Sequence, residues 1–198
     1  MKDDLVALDT KTPVWDRFFT VAPLVLIGTT EENGSIDLAP KHMATSIGLE
    51  NYFGFVCTPE HGTYRNIKRT GVFTVSYPRP SQLLYTSLAA SPRCGEDAKV
   101  VLDSYPTFPA TKVEGVLFED SYLFLECELL KIIDGFGKYG LITGSIVAAH
   151  AHRDSLRASE REDQELIHDA PILAYLHPSR FATIKTSYSF PFPAGMKR

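Results

Sequence analysis

The sequence is short of the features that usually place a protein at once. Of its 198 residues only three are cysteine: Cys57, Cys94 and Cys127. They are too few and too scattered for a disulfide framework, and none stands in a Cys-x-x-Cys pair. A reducing, cytoplasmic setting is expected on that ground. Long hydrophobic runs are lacking too. The longest, Val21 to Ile27, is interrupted by Pro23 and falls far short of the ~20 residues a membrane-spanning helix needs. The opening stretch from Met1 to Trp15 has no apolar region of signal-peptide type. An excess of positive charge is absent as well. Lys+Arg number 20 against 24 Asp+Glu, for a net charge of −4. Such a chain is not expected to bind nucleic acid or an anionic membrane, although a local basic pocket is allowed.

The usual signatures of protein-supplied chemistry are also missing. There is no Gly-x-Gly-x-x-Gly fingerprint, no Walker sequence and no Gly-x-Ser-x-Gly elbow. No paired-carboxylate pattern stands out. His150 and His152 share one face of a strand, but a metal site needs a third ligand in defined geometry, and solvent-exposed histidines are the plainer reading. No metal is expected. If the chain is an enzyme, a bound cofactor is expected to carry the chemistry.

What is present reads as one globular domain over residues 1–198. Hydrophobic residues make up 44% and charged residues 22%, which excludes wholesale disorder and a fibrous rod. The 12 Phe and 9 Tyr lean toward β-structure. Pro23 to Thr30 reads as a strand buried on both faces, and Asn33-Gly34 suits a hairpin turn that needs positive φ. Ile36 to Ile47 is the return segment and Tyr52 to Thr58 a third strand. His61 to Gly71 reads as a short helix with Thr63 as N-cap, Tyr64 and Ile67 on one face, and Gly71 as its stop. Val72 to Tyr77 is a strand, Ser81 to Ala90 a second short helix, and Ser91 to Lys112 irregular. Ser121 to Ile133 and Leu141 to His150 are long strands around a 134–140 loop. Ser155 to His168 is a surface helix or loop. Ile172 to Leu176 and Arg180 to Lys185 are short strands. Strands joined by hairpins, without regular βαβ alternation, predict a closed antiparallel barrel.

Three segments bear on chemistry. In Ala39-Pro40-Lys41-His42-Met43-Ala44 a proline removes a ladder donor, so the strand bends there. Either this is a kink in an edge strand, or the bend turns backbone N–H groups toward a ligand. In Cys57-Thr58-Pro59-Glu60-His61-Gly62-Thr63-Tyr64-Arg65-Asn66 a strand runs through a loop into a helix start. Either this is an ordinary capped surface helix, or its free N–H groups hold an anion, with His61, Thr63, Arg65 and Lys68 adding donors or charge. The small residues from Thr86 to Ala90, Ser87 and Ala89 among them, allow close approach of a flat ligand, and Arg93 offers a partner for phosphate or carboxylate. The plain alternative there is a helix end and turn. Cys57, at the end of an apolar strand, reads by default as a buried, inert thiol.

In order and spacing, Pro23 to Thr29, Asp37 to Pro40 and Gly62 to Ser76 resemble the flavin reductase-like family, as do Leu125 to Glu128, Leu141 to Val147, Ile172 to Leu176 and Arg180 to Ala182. These are FMN-binding split-barrel proteins that include flavoredoxins and the reductase components of two-component monooxygenases. The resemblance covers roughly residues 12–186. It implies a mainly β, six-stranded antiparallel split barrel with short flanking helices, forming a homodimer. It implies FMN, or alternatively FAD, near the dimer interface, with NAD(P)H as a transient substrate and a small acceptor or a monooxygenase as the recipient of electrons. By position, Ala39, Pro40, Lys41, His42, Met43 and Ala44 would border the flavin ring. Thr58, His61, Thr63 and Asn66 would hold the ribityl chain and phosphate, and Ser87, Ala89 and Arg93 would cover the ring. Cys57 would stand on the substrate side. Relatives often carry Asn in place of Asp37 and Ser in place of His42. The aromatic tail from 187 to 198, with Tyr188, Phe190 and Phe192, is expected to clasp a second subunit or cover the flavin.

Overall fold

The structure is a computed structural model that describes residues 4–92, 99–157, 160–193 and 195. Its strands, in chain order, are β1 (Thr20–Pro23), β2 (Val25–Thr30), β3 (Ile36–Lys41), β4 (Ala44–Ser46), β5 (Tyr52–Cys57) and β6 (Val72–Tyr77). After these come β7 (Thr107–Pro109), β8 (Val116–Phe118), β9 (Leu123–Phe136), β10 (Tyr139–Ala151), β11 (Ile172–His177) and β12 (Arg180–Ile184). Three helices intervene: α1 (Gly62–Thr70), α2 (Leu83–Leu88) and α3 (Asp163–Asp169).

The main sheet runs β3-β2-β6-β9-β10-β5-β4, with every pairing antiparallel. Its two outer strands, β3 and β4, are halves of one bent segment joined through His42 and Met43 alone. The sheet therefore curls until its ends meet at that bend, as the proline at position 40 predicts. The N–H of Val56 on β5 donates to the carbonyl of Met43 at 2.8 Å, tying the bend to the sheet. Counted with β3 and β4 as one strand, the half-barrel has the expected six. A three-stranded sheet, β1-β11-β12, stands beside it.

Side chains that alternate along these strands build two cores. Val25, Ile27, Phe53, Phe55, Phe73, Val75, Leu125 and Cys127 point into the barrel. The rings of Phe55 and Phe73 meet edge to face at 5.6 Å, a contact that adds about 0.5–1.5 kcal/mol to the area it buries. Leu26 and Leu38, on the other face of β2 and β3, pack against Ala89, Leu102, Tyr105 and Phe118 in a second core. This second layer is why Val25 to Gly28 is apolar without alternation. The β7–β8 hairpin closes over the outer face of β6 and β9. Thr74 Oγ1 donates to the Val116 carbonyl at 2.5 Å, and Ser76 Oγ accepts from the Phe118 N–H at 3.0 Å. Glu126, fully buried, accepts from the N–H groups of Thr111, Lys112 and Val113 and from the Thr111 hydroxyl. Burial alone would raise its pKa. The four donors outweigh that and hold the carboxyl below the ordinary glutamate range.

Several expectations are corrected. The 91–112 stretch is not wholly irregular: it holds a 3-10 turn, Val100–Ser104, and β7. Strands β9 and β10 run on to Phe136 and Tyr139, so the expected 134–140 loop is a tight turn with Gly137 at φ 64°. Thr63 is not the cap of α1. The chain stays extended at His61 (φ −82°, ψ 142°), the helix starts at Gly62, and the Thr63 hydroxyl turns to Asp37 instead. Gly71 does end the helix, in the left-handed region, with its N–H on the Ile67 carbonyl.

Candidate functional site

Two adjoining clefts open where the sheet ends meet. The larger, about 470 Å³, lies between the β3 edge, the start of α1 and the turn after α2. Ala39, Pro40 and Lys41 form one wall, His61, Gly62, Thr63 and Arg65 the second, and Ala89 to Pro92 with Lys99 the third. The smaller, about 280 Å³, continues past Pro40 and Ala90. It is bounded by His42, by Leu83, Thr86 and Ser87 of α2, and by Tyr175, Ser179, Arg180 and Phe181 around the β11–β12 turn.

The sequence-expected residues divide. Ala39, Pro40, Lys41, His61, Thr63 and Ala89 line the larger cleft, while His42 and Ser87 line the smaller. Met43 is half-exposed outside both clefts, and Ala44 is buried in the barrel core. Cys57 is likewise in the barrel core, where burial pushes its thiol up despite nearby Lys41. Its Sγ is 3.9 Å from His61 Nδ1. Thr58 and Asn66 are buried, and Asn66 Nδ2 donates to Thr29 Oγ1 at 3.1 Å, which fixes α1 to β2 rather than facing a cleft. Arg93 lies outside the described residues.

Local chemistry makes the larger cleft receptive to an anion. The N–H groups of Gly62 and Thr63 open α1 and stand outside its hydrogen-bond ladder. Its first turn carries no acidic residue. Lys41 and Arg65 add positive charge at the walls, and Glu60 a single exposed negative one. His61 is pulled down by burial and then by Lys41, so near neutral pH its ring is an uncharged donor or acceptor. Below it, Asp37 is both hydrogen-bonded and ion-paired. Thr63 Oγ1 donates to its Oδ2 at 3.2 Å, and Lys99 Nζ lies 2.8 Å from Oδ1. The same ammonium donates to the carbonyls of Leu38 and Ala89, at 3.1 and 3.0 Å, and so fastens the end of α2 to β3. No local pattern around Lys99 announces this role in the sequence.

His42 stacks on Tyr175, with ring centroids 4.3 Å apart and planes at 28°, and its far neighbour is His177 at 5.7 Å. Burial, then His177 and Lys41, hold its pKa below the ordinary value. The Tyr175 hydroxyl accepts from the Ser179 N–H at 3.0 Å, which fixes the ring. The aromatic wall is thus assembled from a bend and a turn far apart in the chain. His150 and His152 sit elsewhere, beside Glu126 and Asp154. No helix among the described residues is long and apolar enough to cross a membrane.

The fold is thus a split antiparallel half-barrel with a cleft of small residues at its seam, next to a helix start. Residues 18–184 match the flavin reductase like domain, and the chain belongs to that family. Among solved structures it is similar to a flavoredoxin of Desulfovibrio vulgaris (Miyazaki F), at TM-score 0.77 and 17% identity, over 96% of this chain and 100% of that one. It is similar to a 2-nitrobenzoate 2-nitroreductase of Pseudomonas fluorescens, at TM-score 0.74 and 17% identity, over 89% and 87% of the two chains. It is also similar to a nitrilotriacetate monooxygenase component B from Mycobacterium thermoresistibile, at TM-score 0.69 and 14% identity, over 90% and 89%. At these identities the likeness is one of fold.

Proposed function

We propose that the protein is an FMN-binding oxidoreductase that takes electrons from NAD(P)H and passes them to flavin or another small acceptor. The observation that carries this reading is the larger cleft. It has small residues on two walls, Ala39 and Pro40 on one and Ala89 and Ala90 on another, and an anion-receptive end at Gly62, Thr63 and Arg65. These residues suit a planar ring bearing a phosphate. When bound, the flavin supplies the two-electron chemistry, so the missing acid–base pair is no obstacle. The chain's own part is positioning: the α1 start and Arg65 hold the phosphate, and Lys41 and the β3 backbone border the ring.

On this reading residues 1–198 work as one cytoplasmic domain within a homodimer. The exposed Tyr188 and Phe190 of the tail support a contact with a second subunit. The buried, free thiols Cys57 and Cys127 support a reducing setting. A monooxygenase receiving reduced flavin is a further partner, by likeness to the component B protein.

Absorption spectra test the reading. Added FMN should give a protein-bound flavin spectrum that bleaches when NADH or NADPH is added without oxygen. Bound flavin that bleaches with dithionite but not with either nicotinamide would make the protein an electron carrier, as the flavoredoxin likeness also supports. No bound flavin at all would overturn the proposal.

A further inference from the structure

The smaller cleft has a composition of its own. Two of its polar groups are spent: the Thr86 hydroxyl donates to the Gln82 carbonyl at 2.9 Å, and the Tyr175 hydroxyl accepts from the Ser179 N–H at 3.0 Å; the Ser87 and Ser179 hydroxyls also line it. What faces the space is aromatic and aliphatic surface from Tyr175, Phe181, Leu24 and Leu83, with the His42 ring stacked against Tyr175. One full charge remains there. Arg180 makes no side-chain hydrogen bond or ion pair among the described residues, and no carboxylate lines the cleft. A volume of about 280 Å³ has room for a single-ring molecule. A guanidinium at the rim of an apolar slot favours a planar anion, because it offers paired N–H donors in the plane of a carboxylate.

We propose that the smaller cleft binds a small, single-ring aromatic carboxylate, its ring among Tyr175, His42 and Phe181 and its acid group on Arg180. Pro40 and Ala90 border both clefts, so this ligand lies beside whatever fills the larger one. Binding at the smaller cleft does not depend on the proposed function.

The test is a titration of flavin-free, full-length protein with sodium benzoate, followed by the backbone amide NMR signals of residues 179–181. Nicotinamide serves as an uncharged ring and acetate as an anion without a ring. Benzoate should shift these signals saturably and bind at least about fivefold more tightly than either control. Arg180→Gln, at an exposed position, should remove most of the preference over nicotinamide, a loss of about fivefold as expected for an exposed charge pair. Phe181→Ala should weaken benzoate and nicotinamide alike. In both variants the FMN affinity should stay unchanged. Benzoate binding no tighter than acetate or nicotinamide, or unaffected by Arg180→Gln, would overturn the assignment. So would displacement of benzoate by FMN one for one, because the two clefts would then be a single site. Failure of FMN to bind leaves the benzoate result readable and bears only on the flavin reading.

Discussion

Lys99 and Asp37 form a buried ion pair, Nζ to Oδ1 2.8 Å, with side chains only 10% and 1% exposed. All three ammonium protons are used, on Asp37, Leu38 and Ala89. The pair is therefore a clamp that sets the width of the larger cleft.

Removing one partner strands a buried charge, and such losses cost about 3–5 kcal/mol. Lys99→Met is expected to destabilise the protein by that amount in urea unfolding and to weaken FMN binding. Lys99→Met combined with Asp37→Leu should be milder than Lys99→Met alone, because no charge is left behind. If the double variant is the less stable one, the pair contributes chiefly through its attraction.

Gly28 lies where the β7–β8 hairpin crosses β2. A Cβ there would stand 2.2 Å from Thr74 Oγ1 and 2.9 Å from the Val116 carbonyl oxygen. Gly28→Ala is expected to lift the hairpin and cost about 1–3 kcal/mol, as overpacking does. Amide hydrogen exchange should accelerate in residues 107–118 and remain slow in β9 and β10.

Glu126 holds the 111–113 loop on the barrel. Its folded pKa is lowered, so the folded protein binds that proton less tightly than the unfolded chain. The stabilisation is complete above the unfolded value of roughly 4.3 and is lost as pH falls through the folded one. Glu126→Gln should cost about 1–3 kcal/mol at neutral pH. It should also flatten the acid limb of a stability-against-pH curve.

His42 titrates with the opposite charge and the same slope. Its folded pKa lies below the ordinary 6.5, so the unfolded chain takes up the proton first as pH falls. Its contribution is intact above 6.5 and declines between 6.5 and the lowered folded value. An NMR titration should find its midpoint below 6.5, with the Tyr175 ring signals moving in step. His42→Gln should remove this part of the pH dependence.

Much of the frame is legible from local pattern. The β2–β3 hairpin, α1 with Gly71, β6 and the bend at Pro40 all follow from apolar periodicity, turn residues and proline. What escapes is assembled from distant parts. Strands β7 and β8 are three residues each, and their pairing is sustained by Thr74, Ser76 and Glu126 beneath them. Thr63 looks like a cap in sequence because its true partner, Asp37, lies 26 residues away. Lys99 donates to a carbonyl 61 residues upstream. The smaller cleft draws on four separate segments, so Tyr175, Arg180 and Phe181 carry no sequence mark of belonging with His42.

The bend at Pro40 has a bearing on solubility. An outer strand with unpaired backbone groups is a template on which another chain can add. β3 is such a strand, but Pro40 has no N–H to offer there, and the Leu38 carbonyl is already taken by the Lys99 ammonium. The opposite outer strand, β4, is three residues long. A foreign strand finds no continuous ladder on either side, so the features that shape the cleft also protect this sheet from growing into an aggregate.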